Sequence, residues 1–414
     1  MPLNDESIGA RVRIARNAAG MTHAQLAGFI GRTEKWLENI EAGRLPLDRF
    51  SVITSIAERC DVDPAWLLGL PYRLQHGSGS LAHSYIPALR TGIRRAGLIL
   101  SGHPGLTPTG AALVDLVDLR AQVVKASEAR QAANLPKIAR LVPPLIEDLN
   151  TAVLTLAGPP REEALRLLVD AVRTARMCLN QLGYPDLAWT AAEVAAGAAS
   201  QVGDPLVKAA VAWDRCGALL HQAAPREMLA VAEAAMRDLE PMTVGRQAQD
   251  RAVSMYGALQ LRCSIAYARS GQRADAWAQI DAAVETAGRL PDGWYDVEQH
   301  TVFGRGVVAV HAAEAGVEVD QPDVGLKRVP AVDIDSIPSK ERRTHCMVDQ
   351  ARALHRMGKS SAAVVRLREA AGLARHYVYA DPMSRALVSD LVRVGVPSQQ
   401  TVLSSFVRNM ELVR

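Results

Sequence analysis

Between residues 8 and 69, apolar positions recur at helical spacing in five short blocks. Ile8, Val12 and Ala15 share one face, Leu26, Ala27 and Ile30 a second, and Trp36, Leu37 and Ile40 a third. Val52, Ile53, Ile56 and Ala57 make a fourth stripe over Ser51–Cys60, and Pro64 opens a fifth helix running to Gly69. Ser7, Thr22 and Thr33 stand where a hydroxyl can accept the first free N–H of a helix. Gly20, Gly31 and Gly43 stand where a helix stops in a positive-φ turn. Residues 22–43 thus predict two short amphipathic helices joined through Gly31, a helix-turn-helix whose second helix can enter a major groove.

Residues 71–85 are rich in Gly, Ser and Pro and predict a flexible linker. From Ile86 onward the period is helical, broken at Gly102–Pro108, Gly158–Pro160, Pro225 and Pro291–Gly293. The Asp-, Val- and Pro-rich stretch Val317–Pro338 predicts a long loop. A repeat emerges when turns are aligned: Gly183, Gly271 and Gly358 are each followed five positions later by Ala188, Ala276 and Ala363. Each Gly is expected to end a helix, with about four residues of turn before the next helix begins near that Ala. Weaker versions at Ala224-Pro225 and Gly316 give a unit of about 44 residues. Such hairpins bury a continuous core only by stacking. The expected fold is all-α: a head over 1–70, a linker over 71–85, connecting or dimerisation helices over 86–160 and a helical-repeat array over 161–414.

Composition adds little. Apolar residues make up 49% and aromatics 4% of the 414, so Ala, Leu and Val must fill a helix-on-helix core. Arg outnumbers Lys 40 to 7, which suggests a GC-rich genome more than any partner. A net charge of +3 does not by itself argue for nucleic acid. The five cysteines lie singly in apolar helical patterns and read as reduced core residues. No signal segment or membrane-length apolar run is present, so a soluble cytoplasmic protein is expected. No phosphate loop, metal-ligand spacing or nucleophile motif occurs, so neither enzyme activity nor a metal or cofactor is expected.

The set Ile8-Gly-x-Arg-x-Arg-x-x-Arg16, Gly20-x-Thr22, Leu26-Ala27, Gly31-x-Thr33, Ile40-Glu-x-Gly43, Ile56-Ala57 and Val62-x-Pro-x-Trp-Leu-Leu-Gly69 resembles the XRE family, the phage Cro and repressor helix-turn-helix proteins. The resemblance implies that Arg16 and Glu41 form a buried ion pair bracing the first helix against the third. It also implies phosphate contacts from Thr22, His23, Arg32, Thr33 and Arg44. His23 replaces a frequent Gln, which makes its contact weaker or pH-dependent. The array looks like a tetratricopeptide-like solenoid, although the strict 34-residue period is not kept. An XRE head on such a body resembles bacterial regulators, including peptide-responsive quorum-sensing receptors, and similar chains are common in actinobacteria.

Glu34, Lys35, Glu38 and Asn39 should face base edges: Lys35 toward guanine, Asn39 toward adenine, a Glu toward cytosine N4. Two unneutralised acids on this helix predict weak binding by one head, so two heads, as in a homodimer on a two-fold site, are expected on the DNA operator. In the array, Trp189, Trp213, Arg215, Tyr256, Arg262, Trp294, Tyr295, His300, Phe303 and Arg305 stand out amid Ala-rich helices. Each taken alone suits the core; together they would suit a groove that holds a peptide or small-molecule effector. Arg262, flanked by apolar positions, is the most distinctive: it snorkels, pairs with a buried acid or reaches a ligand. Two functions fit: a ligand-gated DNA-binding regulator, or a DNA-docked adaptor whose solenoid recruits another protein without an effector.

Overall fold

The computed structural model describes residues 7–70, 82–108, 115–220, 222, 224–245, 248–328 and 333–412, and no strand occurs among them. The head holds α1 (Ile8–Ala18), α2 (His23–Phe29), α3 (Glu34–Glu41), α4 (Phe50–Arg59) and α5 (Pro64–Leu68). Its local chemistry follows the sequence. Ser7, Thr22 and Thr33 each accept a backbone N–H at 3.2 Å, and Thr22 forms a reciprocal capping box with Gln25. Gly31 turns the chain between α2 and α3 at φ +65°. The expected stripes meet in one core around Leu26, Leu37, Ile40, Ile53 and Ile56, all with at most 1% of their surface exposed.

The linker expected at 71–85 falls, up to residue 81, outside the described residues; 82–84 are already helical. The body continues with α6 (Ile86–Leu100), α7 (Leu116–Gln131), α8 (Leu135–Thr155), α9 (Gly158–Gln181), α10 (Pro185–Val202), α11 (Pro205–Leu219) and α12 (Pro225–Thr243). There follow α13 (Asp250–Arg269), α14 (Arg273–Gly288), α15 (Arg305–Glu318), α16 (Pro322–Lys327), α17 (Lys340–Arg356), α18 (Ser360–Ala380), α19 (Pro382–Val394) and α20 (Gln400–Asn409). From α7 onward consecutive helices pair as antiparallel hairpins, and the first members α7, α9, α11, α13, α15 and α17 pack side by side as an inner layer. The stack winds until α17 packs back on α7, and this closure buries the inner layer's faces.

The three aligned glycines build one and the same turn. Gly183, Gly271 and Gly358 have φ of +84°, +76° and +75°, and the following N–H bonds back to Leu179, Tyr267 and Leu354 at 2.9 Å. This closes the preceding helix in a Schellman turn. The turn is shorter than expected: the next helix starts two residues after the glycine, and Ala188, Ala276 and Ala363 are its first wholly buried positions rather than its starts. Two further hairpins use the same geometry without glycine, at Ala133 (φ +52°) and Asp320 (φ +63°). Gly316 is not a turn but lies inside α15, where a side chain would meet Gly325 of α16. Hence the expected loop 317–338 is in part helical, through α15's last turn, α16 and a short 3-10 turn at Ile334–Ser336. The expected division at 160 has no counterpart in the packing, since one core runs from Ala82 to Val211.

Candidate nucleic-acid interface and the seam beneath it

The cap at Thr33 orients α3 so that Leu37, Ile40 and Glu41 turn inward while Glu34 and Lys35 stay exposed. Glu38 and Asn39 are half-buried beside them. Lys35 Nζ lies 3.1 Å from Glu38 Oε2, an exposed pair that counter-charge on a duplex can open. The Asn39 side-chain oxygen accepts from Arg44 Nε at 2.8 Å, which leaves its amide NH2 to donate. Trp36 is partly buried against the core, with the Arg32 guanidinium over its ring at 5.5 Å. Thr22 and Thr33 accept as caps, so each hydroxyl keeps its proton for a phosphate.

Beneath α3, Arg16 donates from Nε to Glu41 Oε1 at 2.6 Å and from its NH2 group to Oε2 at 2.9 Å. Both side chains are more than nine-tenths buried, and a third donor bond runs from Arg16 to the Met21 carbonyl at 2.8 Å. The hydrogen bond to Glu41 raises the Arg16 pKa above its ordinary value despite burial. His23 departs from the expected phosphate contact: its Nε2 turns inward to Glu41 Oε2 at 3.0 Å and joins this brace.

Sequence reading missed how the head is seated. α4 begins after Arg49, which supplies no side-chain cap. Glu318, from the end of α15, does so instead: it accepts the Phe50 N–H at 3.2 Å and the Ser51 hydroxyl at 3.0 Å. Arg269 of α13 lies 3.7 Å from Glu318 and stacks over Phe50 at 4.7 Å. On α17, Arg352 donates to the Asp48 carbonyl at 2.7 Å and Arg356 to its carboxylate at 2.6 Å. Phe50, Arg269, Glu318 and Arg352 line a cavity of about 80 Å³ together with Glu314, His345 and Asp349. The last three bring metal-ligand-type atoms within 4.8 Å of one another. Their carboxylates already face Arg269 at 3.5 Å and Arg352 at 2.8 Å, and His345 sits 3.1 Å from Asp349, so the trio reads as an ion-paired imidazolium.

The ten aromatic and charged candidates in the body do not converge on one groove. Trp294, Tyr295 and Arg305 line a cleft of about 560 Å³ between the α14–α15 loop and Pro338. Arg215 pairs with Glu193 at 2.7 Å and lies over Trp189 at 5.6 Å, away from that cleft. Phe303 is fully buried against Gly257, and Tyr256 is half-buried on the same helix as Gly257. His300 is buried with Nδ1 3.3 Å from Ser127; burial, then Arg130 and Arg173, hold its pKa well below the usual histidine value. Trp213 and Arg262 stack at 4.3 Å in the inner layer. Phe303 and His300 are therefore core residues, and Trp213, also buried, carries the Arg262 guanidinium over its ring.

Among the described residues, no helix is long and apolar enough to cross a membrane. No curated protein matches the chain. Residues 7–67 match the family described as the helix-turn-helix domain, so the head is a DNA-binding domain of that kind.

Proposed function

We propose that the chain is a transcription regulator that reads an operator as a homodimer and whose helical body sets the placement of its heads in response to an effector. The observation that carries this reading is the seam. The head rests on α15 and α17 through Asp48, Phe50 and Ser51, while Glu34 and Lys35 of α3 stay open to a duplex. A head held by buried charge-assisted bonds has its orientation dictated by the body, and a ligand that prefers one arrangement of the body then biases DNA binding. Glu34 and Glu38 weaken any single head on a polyanion, which supports two heads acting together. The likeness of the head to XRE proteins and of the stack to tetratricopeptide arrays supports a peptide or small molecule as effector. The test is enrichment of genomic fragments by the intact protein and by Lys35→Ala. Wild type should enrich a small set of promoters sharing a two-fold motif, and the variant should lose that selectivity while retaining weak, salt-sensitive binding. Absence of any enrichment by wild type would refute the regulator.

A further inference from the structure

The inner layer of the hairpin stack holds more buried positive charge than its own carboxylates neutralise. Arg130 on α7, Arg173 and Arg176 on α9, Arg262 on α13 and Arg342 on α17 are all more than nine-tenths buried. Asp214, wholly buried on α11, is shared by three of them: Arg173 at 2.5 Å, Arg130 at 3.7 Å, and Arg176. Glu341 lies 3.3 Å from Arg342 and also accepts the Tyr377 hydroxyl at 3.2 Å. Asp170 reaches Arg173 at 3.3 Å from the edge, with 39% of its side chain exposed. The next acid along, Glu314, is already faced by Arg269 and His345. Three carboxylates therefore face five guanidinia. After residue 6, the segments outside the described residues contain no Asp or Glu.

Arg262 bears the consequence. Among the described residues no hydrogen bond or ion pair reaches its guanidinium, and its Nε is buried without a partner. The Arg176 Nε likewise has no hydrogen-bond partner, and the Arg342 Nε has only its ion pair with Glu341. Arg262 and Arg342 both lie over the ring of Trp213, at 4.3 and 5.0 Å, which softens but does not cancel their charge. Burial first, then the neighbouring Arg342 and Arg176, push the Arg262 pKa down to about 10, still high enough to keep it charged at neutral pH. A buried charge without a counter-charge is strongly unfavourable, and folding retains one where an anion completes the site. Arg176, Arg262 and Arg342 keep 5–6% of their surface exposed, against 2% for Arg130 and Arg173.

We propose that Arg262, Arg342 and Arg176 bind the phosphate monoester of a small molecule, with the Trp213 ring as the wall on which Arg262 and Arg342 lie. A phosphate monoester carries about −1.5 to −2 charge near neutral pH, which matches the excess, and its oxygens suit guanidinium forks. The same helix connects this site to the head: Arg269, two turns beyond Arg262 on α13, stacks on Phe50. The assignment rests on reading the body as an effector receiver and names the chemistry of that effector.

The test uses the intact protein without DNA, titrated with inorganic phosphate, and separately with succinate and with chloride at matched ionic strength. Phosphate should raise the melting temperature saturably, as a ligand specific to the folded state does, and more than either control. Arg262→Gln should weaken phosphate by about ten- to hundredfold, and Arg262→Lys, which keeps charge but not the fork, should recover part of the loss. Should Arg262→Gln fail to fold, phosphate-dependent protection of α13 amides from hydrogen exchange in the wild type answers the same question. A phosphate response no larger than that of chloride, equal binding of succinate, or unchanged phosphate affinity in a folded Arg262→Gln would each overturn the assignment. Operator binding is measured in parallel: selective DNA binding without phosphate binding sinks only this site, and phosphate binding without DNA selectivity sinks only the regulator.

Discussion

Glu318, at the last turn of α15, accepts the Phe50 N–H at 3.2 Å and so caps a helix of the head from a residue of the body. A helix N-terminus carries partial positive charge and unsatisfied donors, both of which a carboxylate relieves. Arg269 holds the same carboxylate from the body's side. The seam is thus a chain of alternating charge that the head enters at its α4 end.

Glu318→Ala removes the carboxylate that caps the first N–H groups of α4, at a cost of about 1–2 kcal/mol by analogy with lost caps. Hydrogen–deuterium exchange should read this as roughly five- to thirtyfold faster exchange at Phe50 and Ser51 amides. Exchange in α3, which Glu318 does not touch, should change far less if the head remains folded. Equal acceleration throughout the head would mean that the residue holds the head's fold and not only its docking.

Arg16 and Lys35 make opposite predictions though both are cations of the head. Arg16→Ala leaves the buried Glu41 carboxylate with only the His23 imidazole beside it, and breaking such a buried pair costs about 3–5 kcal/mol. Lys35 has a side chain 75% exposed, so Lys35→Ala should lie within about 0.5 kcal/mol of wild type. Urea unfolding of the head transition distinguishes them. Comparable destabilisation by both would contradict the division between brace and groove-facing residue.

The head was legible because its information is local: Ser7, Thr22 and Thr33 cap helices from within three residues. The hairpin array was legible where glycine or proline marks the turn, as at Gly183, Pro225, Gly271 and Gly358. Where Ala133 or Asp320 takes the left-handed conformation instead, no sequence signal remains. The seam was illegible for a different reason. Glu318 and Arg352 look like solvated helix positions, because the inner face of a closed stack is buried yet charged, and their partners in the head lie hundreds of residues away. Arg262 could be singled out since its flanking residues are apolar, but its lack of any acid partner required the fold. The contact of His23 with Glu41 was not legible, because a motif position fixes where a side chain starts, not which neighbour it meets.

Phe303 reaches into space that exists only because residue 257 has no side chain: an added Cβ would stand 2.1 Å from the ring's Cζ. Gly257→Ala must push Phe303 out of a fully buried seat or shift α13. Overpacking of this kind costs about 1–3 kcal/mol, and the loop carrying His300 and Phe303 should absorb the movement. Thermal unfolding should show the loss, and Gly257→Ala combined with Phe303→Leu should recover part of it. No destabilisation by the single variant would show that the loop repacks freely.

The imidazole of His345 sets a pH dependence whose sign can be worked out. Burial alone would depress its pKa, but Asp349 at 3.1 Å and Glu314 at 3.6 Å outweigh it and hold the pKa well above the usual value. A histidine with a raised folded-state pKa binds its proton more tightly when folded. Its contribution is therefore complete below about pH 6.5, where the unfolded histidine is also protonated, and is lost as pH rises through the folded value. His311 works the other way. Burial pushes it down to about 4, so its contribution is present above about pH 6.5 and lost as pH falls toward 4. Stability measured by urea unfolding from pH 6 to 9 should decline less in His345→Gln than in wild type. His311→Asn should instead flatten the acid side, between pH 4 and 6. Because His345 borders the same cavity as Glu318 and Phe50, its loss of charge should also loosen the head. Exchange at the α4 amides should then accelerate with pH beyond the intrinsic chemical rate in wild type, and that excess should vanish in His345→Gln. An identical pH profile in both proteins would show that the fold does not hold the imidazole's proton more tightly than the unfolded chain does.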